Sequence, residues 1–416
     1  ICFYKKYNTM EGGIEMFDID RKHYIFELSS GKTFIVFYRQ GSGICISELG
    51  KNNVWLTPQI LASDAVPQFS ACIDGEDNIH ILYQNEWADI NLLSGSGGRW
   101  SKTFLLKSKR SDPYNKLLRI KNTGSCLLFT YVLKHNESML LSYQLRKGSE
   151  PVTNPEAIDR IDSMKKKYFV VMDGNIPCVF YTRSHKGMCQ AGWKSYDLKS
   201  GQWSDFTVIC EDTGDISILS VSPDRQENIH MWMQKRSGSE YELVYTRKDS
   251  SSGKWSSEML LASSVYPYAN SSHVVSGERL VFYQVNGEAI YYWISPDGGR
   301  HWNKRERLPF AEGESKYCIS YDSNSPGKLS GTYFYAIPGI VSPGFKLAFV
   351  GETAAATRPD AKKTSTAEEN KVLQRMQELN IFREETEKSL EQLREKIADL
   401  EIAIEKCDIK ASLLGK

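Results

Sequence analysis

The chain has little that would hold a metal, a phosphate or a membrane. Its seven His are dispersed, and its nine Cys form no CxxC pair and no spacing suited to zinc. The odd count points to buried reduced thiols rather than a disulfide framework. HExxH, a Gly-rich phosphate loop and a Ser-nucleophile motif are all missing, and no cofactor or metal is expected. No apolar run approaches the ~20 residues of a membrane span. The opening ICFYKKYNTMEGG lacks the apolar core and small-residue cleavage site of a secretory signal. On that ground the cytoplasm is the expected location, with surface or spore association as the alternative. Net charge is also missing: 52 Lys plus Arg against 51 Asp plus Glu leave +1. No general field therefore draws the protein to nucleic acid or to an anionic membrane.

What is present is β-rich and repetitive. Of 416 residues, 12% are aromatic, led by 22 Tyr, a composition that suits pleated, half-buried surfaces. The length alone fits two or three domains or one large repeat-built domain. Glu-Gly-Gly-Ile-Glu before Met16 is what a purine-rich bacterial ribosome-binding site encodes when read in frame, so translation is expected to begin at Met16. From about residue 12 to 351, inner-strand candidates begin near His23, Gln68, Asn115, Lys166, Ile216, Ala269 and Lys316, about fifty residues apart. Four-strand repeats of this period are the mark of propeller blades.

Each unit repeats one order. An apolar alternating run comes first, then a run such as KTFIVFY, NIHILYQ, IPCVFYT, NIHMWMQ or RLVFYQ, then a third such as GICISEL or AIYYWIS. A Gly-containing turn and a Trp then open the outermost strand. Those Trp are Trp55, Trp100, Trp203, Trp255 and Trp302, and Gly98, Gly201 and Gly253 each stand two residues ahead of theirs. The third unit has LRKGSEPVTNPEAI instead of a Trp. The reading is a seven-bladed β-propeller, with GIEMFDI (13–19) supplying the last unit's missing outer strand. Six blades are the alternative if the last unit is only a cap.

Ser295, Asp297, Gly299 and Trp302 carry a family resemblance. Ser-x-Asp-x-Gly-x-x-Trp resembles the Asp box, or BNR repeat, of sialidase-like propellers and their non-enzymatic relatives. An Asp carboxylate can accept N–H bonds inside its own turn, and Gly supplies positive φ. The resemblance implies a structural turn between third and fourth strands, remote from any central pocket. It also implies that a sialidase would show Arg-Ile-Pro near the first inner strand. This chain reads DIDRKHYIF there, with Lys22 and His23 after Arg21, so sialidase activity is not expected.

Other glycosidases need two carboxylates at a set separation. Asp64, Asp112, Asp159, Asp162, Asp212 and Asp215 lie in connecting segments, and sequence does not bring any two together. No catalytic residue is assigned. Small lectin propellers also repeat a Tyr-rich strand and a Gly-Trp turn, and hold sugars between blades with Trp and Arg. Arg99–Trp100 suits such a pocket, although packing between blades is the favoured role of Trp100. His80 and His230, in the twice-repeated Asn-Ile-His, are read as hydrogen-bonded structural residues.

After Gly351 the composition changes. Residues 352–370 are small, polar and charged, and read as a linker. Residues 371–415 read as a coiled-coil helix: Val372 to Leu414 has no Gly or Pro and repeats apolar residues every seven. Its seam is strongest at Leu390, Leu393, Ile397, Leu400, Ile404 and Cys407, with Ile at a and Leu at d favouring a parallel pair. Lys396 at g then faces Glu401 at e of the partner. A single amphipathic helix docked on the propeller is the alternative. The expected protein is a non-catalytic binding or scaffold propeller, self-associated through this helix, with carbohydrate or another protein as ligand. A divergent glycan-active enzyme with a central site is the competing class.

Overall fold

The computed structural model describes residues 18–350, apart from 97, 110–112, 136–137, 162–165, 269–270, 287–288, 309–316, 327–331, 336, 341–345 and 348–350. Residues 13–17 of the expected closing strand, the linker 352–370 and the coiled-coil segment 371–415 lie outside the described residues. All described strands belong to the unit Ile1–Val350.

Six antiparallel meanders form a six-bladed β-propeller of four-stranded blades. From inner to outer strand, blade one is Asp18–Glu27, Thr33–Arg39, Gly43–Glu48 and Gln59–Ala62. Blade two is Ala65–Ile73, Ile79–Asn85, Ile90–Ser96 and Arg99–Leu106. Blade three is Arg119–Asn122, Leu127–His135, Ser138–Arg146 and Glu156–Ile161. Blade four is Phe169–Asp173, Ile176–His185, Met188–Asp197 and Thr207–Asp212. Blade five is Ile216–Pro223, Ile229–Ser237, Glu240–Lys248 and Met259–Ser264. Blade six is Ser271–Ser276, Arg279–Asn286, Ala289–Ser295 and Glu306–Leu308.

The core lies between blades, because alternate side chains of each strand face opposite neighbours. Ile81 and Tyr83 pack with blade one, whereas Leu82 packs with Phe129 and Tyr131 of blade three. Trp232 and Trp293 fill the seam between blades five and six. Cys45, Cys72, Cys126, Cys178, Cys189 and Cys210 are free thiols.

The expectation of seven blades is corrected. The last unit makes no sheet of its own. Tyr317–Ser323 runs parallel to Asp18–Glu27 on the free inner edge of blade one. Thr332–Tyr335 pairs antiparallel with Ser271–Ser276, the inner edge of blade six. The physical reason is closure: paired into the two terminal blades, these strands remove both exposed inner edges at once. Asp18 and Ile19 likewise belong to an inner strand, not to the outer strand expected of 13–19. Among the described residues, no helix is long and apolar enough to cross a membrane.

Candidate functional site

Backbone register places the five Trp at matching positions. Leu49, Gly95, Tyr196 and Lys248, at the ends of their third strands, stand opposite Trp55, Trp100, Trp203 and Trp255. The residue after the Trp donates its N–H back to the third strand: Leu56 to Glu48, Ser204 to Ser195, Ser256 to Arg247 and Asn303 to Ile294. Positive φ at Gly98, Gly201 and Gly253 lets the preceding turn reverse, which a Cβ would oppose. Four of these Trp are half-buried against the seam with the preceding blade. Trp203 meets Tyr143 edge-on at 5.4 Å, Trp255 meets Phe180 at 6.2 Å, and Trp302 meets Tyr245 at 5.0 Å. Trp100 packs against the blade one–two core. There Gly95 leaves room for it, since a Cβ on Gly95 would stand 2.6 Å from the indole.

The Ser295–Trp302 turn is tied internally. Gly299 N donates to Ser295 Oγ at 2.8 Å, His301 N donates to Asp297 Oδ1 at 2.9 Å, and Ser295 Oγ donates to the same oxygen at 3.0 Å. Hydrogen bonds from His301 and Ser295 hold the Asp297 carboxyl down at about 2. Gly299, at φ +87°, passes against Tyr245, whose hydroxyl would lie 1.8 Å from an added Cβ. The turn locks blade six onto blade five.

Blade three differs. Thr153 N donates to Leu145 O at 2.9 Å, the same backbone bond, so the residue in the Trp position is Val152. A groove of about 800 Å³ opens at this seam between blades two and three. It is lined by Asp74, Glu76 and Asn78 of blade two's first turn and His80 of its second strand, by Arg99, Trp100 and Ser101, and across the seam by Asn122, Ser125, Arg146 and Ser149. Sequence reasoning singled out Arg99, Trp100 and His80 but missed Asp74 and Arg146. The missing Trp in LRKGSEPVTNPEAI was the available signal.

The groove floor is a fixed network. His80 Nε2 donates to Asp74 Oδ2 at 2.9 Å, and Ser94 Oγ donates to His80 Nδ1 at 2.9 Å. Burial lowers the His80 pKa against the pull of Asp74, so the ring is neutral with both nitrogens engaged. It has no site left to act as a general base. Burial works to raise the Asp74 pKa, but hydrogen bonds from His80, Asn78 and Glu76 outweigh it and keep the carboxyl below its usual range. Blade five repeats the arrangement, with His230 held between Asp224 and Tyr245. The repeated Asn-Ile-His is therefore the end of an Asp-x-x-x-Asn-Ile-His turn lock.

Two of the acids expected in connecting segments, Asp159 and Asp212, stand instead in the outer strands of blades three and four. Asp64 pairs with Lys102, Asp159 with Arg183 and Lys194, and Asp215 with Lys166. Asp112 and Asp162 lie outside the described residues. The described residues hold no group of three or more His, Cys, Asp or Glu able to bind a metal ion.

No protein-family model and no curated protein matches the chain. Among solved structures, the BP39L lectin of Burkholderia pseudomallei is similar at 13% identity and TM-score 0.52, over 67% of this chain and 81% of the lectin. A polysaccharide lyase, PL25 ulvanlyase bound to -[GlcA(1-4)Rha3S]-, is similar at 12% identity and TM-score 0.50, over 78% and 93%. The six-bladed fucose-recognising lectin of Aleuria aurantia aligns at 13% identity and TM-score 0.42, over 71% and 98%. At these identities the likeness is one of fold.

Proposed function

We propose that the chain is a non-catalytic glycan-binding propeller whose ligand enters the groove between blades two and three. The observation that carries the reading is that the polar groove opens at the one seam where Val152 stands in the position that the other blades give to a Trp. Trp100 offers a flat apolar face, Arg99 and Arg146 offer donors, and exposed Glu76 offers acceptors. That mixture suits sugar hydroxyls, which present both donors and acceptors around an apolar ring. The lectin and the polysaccharide lyase lend support, since both are similar in fold to this chain and one, by its name, acts on a polysaccharide. The Ser295–Trp302 turn is read as a structural Asp box.

The tail adds a second part to the proposal. Residues 371–415 are proposed to self-associate as a coiled coil through Leu390, Leu393, Ile397, Leu400, Ile404 and Cys407, with 352–370 as the linker. Joining weak sites in this way raises avidity by roughly 10²–10⁴ without a new contact. The competing enzyme reading needs a central pocket. Tyr317–Ser323 and Thr332–Tyr335 take up the inner edges where that pocket would open, and Asp64, Asp159 and Asp215 are each paired with a Lys or Arg, so the binding reading is preferred.

A glycan array with the full-length protein tests the proposal. Retention of a defined subset, weakened by Arg99→Ala, is expected. Retention of no glycan would refute it. Aryl glycosides and sialosides should survive incubation, and steady turnover abolished by changing one carboxylate would establish an enzyme instead.

A further inference from the structure

Register-matched seams differ in how a basic residue is neutralised. Lys248, at the end of the third strand of blade five, crosses to blade four and pairs with Asp173, the last residue of that blade's inner strand. Its ammonium also lies 5.1 Å from the Trp193 ring centre. Arg146 holds the equivalent place in blade three, since it pairs with Leu127 as Lys248 pairs with Ile229. The carboxylate equivalent to Asp173 is Asp74.

Asp74 is already saturated. Its Oδ1 accepts from Glu76 N at 2.9 Å and Asn78 N at 2.8 Å, and its Oδ2 from Asn78 Nδ2 at 3.0 Å and His80 Nε2 at 2.9 Å. Those four bonds occupy the lone pairs that a second cation would use. Arg146 is left half-buried, with Nε shielded from solvent and without a hydrogen-bond partner. Among the described residues, no carboxylate lies within ion-pair distance of it. A half-buried guanidinium with a shielded, unbonded Nε leaves a donor unmet, and its planar fork matches carboxylate and sulfate oxygens.

We propose that the groove takes an acidic saccharide, with one carboxylate or sulfate ester of the ligand seated at Arg146 and supported by Arg99. This rests on the glycan-binding reading and narrows it. Glu76 on the rim has the opposite sign and sets the groove against densely charged chains, so isolated acidic groups on a sugar backbone are the expected form.

Calorimetry on the full-length protein with two matched pairs tests it. Trigalacturonate against its methyl ester reports on carboxylate, and 3′-sulfolactose against lactose reports on sulfate. In at least one pair the acidic member should bind about tenfold more tightly, as charge-assisted bonds outweigh neutral ones. Raised salt should shrink the difference. Arg146→Met should erase the preference by weakening the acidic member far more than its neutral twin, and Arg146→Lys should restore part of it. Equal affinities within both pairs, or a preference that survives in Arg146→Met, would overturn the proposal. Should Arg146→Met fail to fold, Arg99→Met and the salt response of the wild type decide in the same way. Neutral glycans bound without any acidic preference would sink this inference alone. Absence of binding to both pairs and to the array would remove the glycan reading as well.

Discussion

Refilling the groove with the indole that the other blades carry would test whether Val152 makes the site. Val152→Trp puts the side chain at the position held by Trp55, Trp100, Trp203, Trp255 and Trp302. Lys248 stands beside Trp255 in blade five, so Arg146 need not be displaced. Trp exposes about 100 Å² more apolar surface than Val in an open chain, worth roughly 2.5 kcal/mol if fully buried. The native Trp are only half-buried, and a new rotamer must be fixed, so a net gain of about 1 kcal/mol is expected. Urea titration of the isolated variant should show a higher midpoint with an unchanged slope, while glycan retention falls to background. Val152→Ile is the control, with little change in either. A variant that gains stability yet still binds would place the ligand elsewhere. One that loses stability would refute the register equivalence on which the groove is built.

Trp302→Ala should cost about 2–4 kcal/mol, below the full-burial range because the ring is partly exposed, and Asp297→Ala should cost less; urea midpoints check both. Acid should destabilise the propeller through His273, whose complete burial pushes its pKa down to about 3. The unfolded chain takes up that proton from about pH 6.5 downward and the folded one does not, so stability is lost as pH falls between those values. Burial lowers the His230 pKa as well, with the same sign. Comparing unfolding midpoints at pH 7 and pH 5 for the wild type and His273→Gln should show a shallower loss in the variant. Light scattering should find residues 1–351 monomeric and the full chain associated, with Ile397→Asp plus Leu400→Asp returning it to monomer because paired like charges would be buried at the seam. A monomeric full chain would refute the coiled coil.

The strand period, the four-strand order and the phase of the five Trp could be read from the sequence. They rest on local rules: alternation along a strand, Gly where φ must be positive, and Trp two residues later. The exceptional third unit could be read there too, since LRKGSEPVTNPEAI has no Trp to place. Blade number could not. Tyr317–Ser323 alternates as an inner strand would, and nothing within it tells whether it founds a seventh blade or pairs in parallel with Asp18–Glu27. That choice belongs to ring closure, which joins residues almost three hundred positions apart. The chemistry of the groove was likewise a tertiary decision. Asn-Ile-His was visible twice, each time with an Asp six residues before the His, but the bond from that Asp to the ring was not. Arg146 carried no mark in the sequence, because its unpaired state depends on a carboxylate in the neighbouring blade being already taken. Pattern reports what a strand does with its own side chains; only packing fixes which charge across a seam is left for something else to meet.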